Sequence, residues 1–376
     1  MPQVDFYILP SSEPRDRLEY ACKLTAKAWR EGMQVYLRCI DAAQCAELDQ
    51  RLWRFRGESF VPHDLIEEAP DSPVVLGTGE PPQNREGLLI NLAAGVPARV
   101  EGFARVAELF RGHFDSLELP LPQQPTATWP CFDEQLEAVL QARPAVFSFV
   151  YGVPSEQAVE RCRSAGILTL GTATSVAEAR ALEAAGVEAV VASGFEAGGH
   201  RAAFLADPEE GLIGTLALVP QVVDALHIPV VAAGGIADGR GVAAALCLGA
   251  QAVQIGTAFL ACRESGTSDL HRQALLDPNS PGTALTRAFS GRLARGIRNR
   301  LLEDLAASQH LLAGYPAQGE FASLLKPPAL AQGRGDLLAL WSGQSAPLLR
   351  DTELAALWRR LLTGTDALLG AGPSTP

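Results

Sequence analysis

The spacing of apolar and polar positions changes period several times along the chain. Val4–Leu9 is a short apolar run, read as a first strand. Arg15–Glu31 then places Leu18, Cys22, Thr25 and Trp29 at helical spacing, and Gly32 supplies a stop. Met33–Ile40 reads as a second strand, and Asp41 as the N-cap of a helix through Trp53. Pro73–Leu76 and Leu88–Leu92 read as further buried strands, and Glu101–Phe110 as a closing helix. Residues 1–112 are therefore expected to form a small, doubly wound α/β sheet domain. The turn Pro10-Ser11-Ser12-Glu13-Pro14 lacks the glycines that bring backbone N–H groups against a phosphate.

Residues 113–143 change character. His113-Phe114-Asp115 and the proline-rich run Pro120–Pro125 read as an extended linker. A new rhythm starts at Pro144. Strand-like runs at Ala145–Val150, Ile167–Leu170, Ala189–Ser193, Pro229–Ala233 and Ala252–Ile255 are separated by helical segments. Those helices are expected at Ser155–Ala165, Ser175–Ala185, Leu216–Ala225 and Gly241–Leu248, with a late helix at Thr352–Leu362. Such alternation predicts parallel strands, five βα units of a (β/α) TIM-type barrel segment within residues 144–376.

Composition narrows the function classes. The 376 residues include 47% apolar and 20% charged side chains, ordinary for packed globular structure. The net charge of -12 argues against direct nucleic-acid binding. With no apolar run of membrane-spanning length and no signal-like start, the expectation is a soluble, cytoplasmic protein that does not enter a membrane. Seven scattered cysteines without a C-x-x-C pair argue against a disulfide framework or a metal centre.

Three glycine motifs follow strands. In Ser193-Gly194-Phe195-Glu196-Ala197-Gly198-Gly199-His200, paired glycines admit close approach of a flat ligand. His200 supplies a base near neutral pH or a donor to an anion. In Ala232-Ala233-Gly234-Gly235-Ile236-Ala237-Asp238, a strand runs through Gly234-Gly235 into a helix start, offering N–H groups to a phosphate. Gln254-Ile255-Gly256-Thr257 does the same at the next strand end. Each of the last two is also consistent with a plain tight turn, but together they match the phosphate grip of a barrel. Arg292 and Arg295 form a basic cluster able to bind an anion, but read in preference as a solvated loop pairing with acidic neighbours; Glu178 and Glu188 read as surface positions.

Residues from about Pro144 to Arg300 resemble the nitronate monooxygenase family of flavin enzymes. The three motifs carry the likeness, with Ala294-Arg295-Gly296-Ile297-Arg298-Asn299-Arg300 and Leu340-Trp341-Ser342-Gly343-Gln344. The resemblance implies FMN at the open end of a (β/α)8 barrel. It also implies oxidation of a small-molecule nitronate with dioxygen as electron acceptor. By motif, His200 matches the catalytic histidine. Gly198, Gly234, Gly235, Gln254, Ile255, Gly256 and Thr257 match cofactor-binding positions. Ser193 stands where the family often has a glutamine touching the flavin. The FMN-dependent enoyl-acyl-carrier-protein reductases share the Gly-Gly-His and Ala-Gly-Gly-Ile motifs and form an alternative reading.

Residues 1–112 resemble the chi subunit of DNA polymerase III. That likeness rests on Val4-Asp5-Phe6-Tyr7, Leu52-Trp53, Glu58-Ser59-Phe60-Val61-Pro62-His63 and Leu88-Leu89-Ile90-Asn91-Leu92. It implies a non-catalytic accessory role in DNA replication, docking the psi subunit and the single-strand DNA-binding protein. Both resemblances are partial: the barrel family's first three strands have no match, nor does the chi family's last helical segment. The chain reads as an accidental or degenerate fusion. Its incomplete barrel is expected to expose edges and apolar surface unless the N-terminal sheet or a second copy covers them.

Overall fold

The computed structural model describes residues 14–30, 32–39, 42–54, 63–65, 72–77, 87–91, 103–122 and 132–370. The expected first strand Val4–Leu9, the Pro10–Glu13 turn, the Asp41 cap and the Glu58–Pro62 run lie outside these residues. The chain divides into two compact units. One comprises residues 1–98, 126–143 and 155–161, and the other residues 99–125, 144–154 and 162–376.

In the first unit, α1 (Pro14–Arg30), β1 (Gln34–Arg38) and α2 (Ala42–Arg54) precede three short strands. These are β2 (His63–Leu65), β3 (Val74–Gly77) and β4 (Gly87–Asn91). The strands are parallel and ordered β2-β3-β1-β4, with Val35 facing Val74 on one side and Leu88 on the other. The helical spacing read in the sequence explains the core. Leu18, Ala21, Cys22 and Ala26 of α1 pack with Cys45, Leu48 and Leu52 of α2 over Val35, Leu37, Val74 and Leu76. Thr25 lies on the same buried face, and its hydroxyl donates to the Ala21 carbonyl at 2.8 Å. A later helix, α4 (Phe132–Ala142), also belongs to this unit. It lies within the stretch expected to be an extended linker.

The expected closing helix of that domain belongs elsewhere. It is α3 (Phe103–Asp115), and it continues through the His113-Phe114-Asp115 run read as linker. Its Val106, Phe110 and Phe114 recur every fourth residue and are buried in the core of the second unit. Phe110 and Phe114 meet the Phe321 ring edge-on, at centroid distances of 5.1 and 5.8 Å. A division at residue 112 would fall inside α3.

The second unit carries the five βα steps. Strands β5 (Val146–Phe149), β6 (Leu168–Ala173), β7 (Ala189–Ser193), β9 (Val230–Ala233) and β10 (Ala252–Gln254) form one parallel sheet in the order β10-β9-β7-β6-β5. Helices α5 (Glu156–Ser164), α6 (Val176–Ala184), α7 (Thr215–Ala225) and α8 (Gly239–Cys247) separate them. Among the described residues the outer edges of β5 and β10 have no partner strand, and Val146 and Leu168 are about half exposed. The sheet is an arc of a TIM-type fold, without closure by these five strands.

One short strand, β8 (Gly199–His200), leaves this sheet between β7 and α7. It joins an antiparallel sheet with β11 (Thr283–Thr286) and β12 (Ala294–Ile297) in the order β11-β12-β8. Between β10 and β11 lie α9 (Thr257–Leu260) and α10 (Asp269–Leu276). After β12 come α11 (Arg300–Asp304), α12 (Ala317–Ser323), α13 (Lys326–Ala331) and the terminal α14 (Leu354–Leu369). Among the described residues no helix is long and apolar enough to cross a membrane, and no His, Cys, Asp and Glu side chains cluster to hold a metal ion.

Candidate active site

His200 is fixed by its backbone before any side-chain contact. It pairs with Ala294 of β12, and Gly199 pairs with Arg295. Gly199 takes φ = +78°, a conformation that glycine adopts without steric cost. The His200 ring then enters an aromatic enclosure. Trp341 lies 5.1 Å away between centroids, and Tyr315 and Tyr151 stand edge-on at 5.6 and 6.1 Å. Phe289 backs the Trp341 ring at 5.2 Å. The Gly296–Trp341 bridge to β12 holds the tryptophan in register.

Ser290 holds the edge of the His200 ring. Its Oγ lies 2.6 Å from His200 Nε2 and also meets the Arg292 carbonyl at 3.3 Å and the Arg292 amide at 3.4 Å. No hydrogen bond among the described residues engages Nδ1. Burial, reinforced by the positive charge of Arg292, holds His200 below the usual histidine value. Its imidazole is therefore neutral near pH 7. Burial, with Tyr315 adding to it, pushes the Tyr151 phenol up, so Tyr151 keeps its proton.

The loop arginines turn inward, Arg292 partly and Arg295 fully buried. Arg292 stacks on Tyr151 with its guanidinium carbon 3.9 Å from the ring centroid. It donates to the carbonyls of Arg201, at 3.2 Å, and of Ala203. Arg295 is only 3% exposed and donates to the Phe195 carbonyl at 3.0 Å and to Thr283 Oγ1 at 3.1 Å. Arg201 is buried as well, donating to the carbonyls of Ser193 and Gly194 at 3.0 and 2.8 Å. None of the three makes an ion pair with a described acid. The sequence favours surface pairing for Arg292 and Arg295, and the fold instead turns their side chains inward onto backbone carbonyls. Glu178 departs from its expected surface position too. It is buried and accepts from Thr174 N and Oγ1 and from the Phe204 and Leu205 amides, at 2.6–3.2 Å. That cluster ties down the chain just beyond His200.

The three glycine motifs converge. An added Cβ on Gly234, where φ is +98°, would lie 3.0 Å from Ala197 N. One on Gly198 would lie 2.6 Å from both Gly343 N and the Ser342 carbonyl carbon. The Gly343 amide donates to Thr257 Oγ1 at 2.9 Å, and the Gln344 amide to the Glu196 carbonyl at 2.9 Å. Residues 341–344 thus lock the first motif to the third. Glu196 is itself occupied by Thr215 N and Oγ1, at 2.9–3.0 Å. Ser193 is buried at the end of β7, while Gln254 is exposed on edge strand β10 and Ile255 packs against the core.

A phosphate-bearing planar cofactor fits this arrangement. Gly235 (φ +73°) and Gly256 are both exposed, and a Cβ on Gly256 would meet nothing within 4 Å. The Gly235, Gly256 and Thr257 amides donate to no group among the described residues. Around His200, sequence reasoning missed Tyr151, Ser290 and Tyr315; it named Trp341 only within the Leu340–Gln344 motif and placed Arg292 at the surface. The one available signal was the Ser290-Gly291-Arg292 run leading directly into the basic motif at Ala294.

Comparisons with known proteins agree on this unit. A family model described as nitronate monooxygenase matches residues 88–358. One described as DNA polymerase III chi subunit, HolC, matches residues 1–119. The two spans overlap over residues 88–119, which include α3. Probable nitronate monooxygenases of Staphylococcus aureus strains Newman and JH9 are each 45% identical over 225 residues, 60% of this chain and 63% of theirs. The chain therefore spans under two thirds of the length of these curated relatives. Among solved structures, a nitroalkane oxidase from Streptomyces ansochromogenes is 38% identical with a TM-score of 0.68, over 76% of this chain and 82% of that one. FabK from Thermotoga maritima is 27% identical with a TM-score of 0.55, over 73% of this chain and 90% of that one.

Proposed function

Because the chain belongs to the nitronate monooxygenase family, we propose that it oxidises alkyl nitronates with dioxygen, using FMN held at the glycine motifs of the second unit. Members of the family are flavin enzymes. The observation that carries the reading is a neutral imidazole beside a cation without an acidic partner, inside an aromatic enclosure next to open glycine amides.

When bound, the flavin supplies the redox step, taking electrons from the nitronate and passing them to dioxygen. Gly235, Gly256 and Thr257 would hold its phosphate through backbone N–H groups, with Gly198, Gly234, Gln254, Ile255 and the end of β7 at Ser193 lining the site. His200 Nδ1 accepts a proton from the carbon next to the nitro group when the neutral nitroalkane arrives. Arg292 attracts the negative charge that remains on the nitro oxygens, an interaction strongest for the anion. In this reading Nε2–H points at Ser290 Oγ, which leaves the Nδ1 lone pair for the transfer. Trp341 and Tyr151 shield the imidazole from water on their side, which strengthens both effects.

The test is a visible absorption spectrum of the purified full chain, identification of released flavin, and oxygen uptake with a preformed nitronate. Stoichiometric FMN and nitronate-dependent uptake are expected. His200→Ala should keep the flavin and lose about 10²–10⁴-fold in nitroalkane turnover. Rapid reduction of the bound flavin by a nicotinamide cofactor would instead favour the enoyl-acyl-carrier-protein reductase chemistry. For the N-terminal segment we propose docking to the psi subunit of DNA polymerase III and to the single-strand DNA-binding protein. The family match over residues 1–119 supports it, and calorimetric titration with each partner tests it.

A further inference from the structure

Helix α14 is apolar on more than one side. Its Leu357, Leu361 and Thr365 are buried, and α8 approaches so closely that a Cβ on Gly239 would lie 2.5 Å from the Gly364 carbonyl carbon. The parallel sheet stops at β10, so among the described residues no further βα unit covers the other flank of this helix. There Leu354, Trp358, Leu362 and Leu369 recur at helical spacing and are 42%, 56%, 50% and 45% exposed. Single exposed leucines are commonplace, but a contiguous stripe along a whole helix marks a binding surface.

Charge identifies the occupant. Arg359 and Asp366 are both exposed, border the stripe, and make no ion pair with a described residue. Seven residues separate them, so they lie about 20° apart around the helix, on one flank. Their midpoint falls between Leu362 and Thr363, at the centre of the stripe. An antiparallel two-fold pairing about that point sets Arg359 of one copy opposite Asp366 of the other, and does so twice. A parallel pairing would put the two charged flanks on opposite sides of the seam and form no such ion pairs. A two-fold contact must be self-complementary, and this surface meets that demand. A lipid-facing helix would instead carry an excess of Lys and Arg beside the apolar stripe; here one charge of each sign borders it.

We propose that α14 is a homodimer surface, on which two copies of this chain pair antiparallel through Leu354, Trp358, Leu362 and Leu369, flanked by reciprocal Arg359–Asp366 ion pairs. At 1.5 Å per residue the 16-residue helix is about 24 Å long. That is short for a standard interface, so the dimer should be weak and concentration-dependent.

Sedimentation velocity of the full chain across the micromolar range tests this. A monomer–dimer equilibrium is expected. Arg359→Asp and Asp366→Arg should each weaken it about tenfold or more, because each creates two like-charge contacts, and the double variant should restore it. In a Cys247→Ser background, Leu362→Cys should yield a disulfide-linked dimer on mild oxidation, whereas Ala367→Cys, on another side of the helix, should not. All these positions are exposed, so circular dichroism should report unchanged folding. A monomer at every concentration overturns the proposal, as does association indifferent to the single reversals or not restored by the double one. Adsorption of the monomer to phosphatidylcholine vesicles, abolished by Leu362→Asp, would assign the stripe to a lipid surface and also overturn it.

Discussion

The molecule contains two parallel sheets packed with amphipathic helices, and among the described residues only the second carries the candidate active site. In the first unit, the described helices and strands spend their inward positions on aliphatic packing: Leu37, Leu48, Leu52 and Leu76 are fully enclosed. In the second, the turns after β7, β9 and β10 carry glycines, and the excursion through β8 brings buried arginines and a neutral histidine together. Sheet architecture is common to both. What separates them is what the loops at the strand ends are made to hold.

The largest effect that would sharpen this contrast is in the aliphatic sheet. Leu37→Ala removes a fully buried side chain and should destabilise the first unit by about 2–5 kcal/mol. Hydrogen exchange of the β1, β3 and β4 amides reads that loss, while nitronate oxidation should stay at its starting rate. A fall in oxidation equal to the loss of protection would break the separation of roles.

A smaller effect distinguishes two glycines of the second unit. Gly198→Ala forces the backbone at Ser342-Gly343 to move and should cost about 1–3 kcal/mol, with weaker flavin retention. Gly256→Ala points its methyl into open space, so it should leave the melting temperature unchanged and lower flavin affinity alone. Equal destabilisation by both would remove the distinction between a packing glycine and a ligand-facing one.

The smallest effect is electrostatic. Burial holds His113, His200 and His271 below the usual histidine value. The unfolded chain therefore takes up their protons first as pH falls. Stability is complete above the ordinary value near 6.5 and is lost as pH drops from there through the lowered native values. Each histidine adds at most about 1.4 kcal/mol per pH unit within that window. Denaturant unfolding of the second unit between pH 7 and pH 5 should show this slope, and His200→Ala should reduce it by one histidine's share. An unchanged slope would mean that His200 is solvated and ordinary.

Local periodicity carried much of the fold. The five strands of the arc, their order of appearance and the helices between them fall where the apolar spacing put them, because each depends on residues a few positions apart. The three glycine motifs and His200 were legible for the same reason: a strand running into Gly-Gly is a local event. The sequence did not say which unit would own α3. An apolar helical face records that it needs a partner, and Phe321, more than two hundred residues away, decides which. It also misplaced Arg292, Arg295 and Glu178, whose charges read as surface positions. Most of their hydrogen-bond partners are backbone carbonyls and amides, which every residue possesses and no sequence pattern reveals. Near neighbours along the chain thus determined elements and motifs. Only the tertiary structure decided the aromatic and Ser290 surroundings of His200, the inward turn of the arginines and the exposed stripe of α14, because each depends on groups that folding brings together or leaves uncovered.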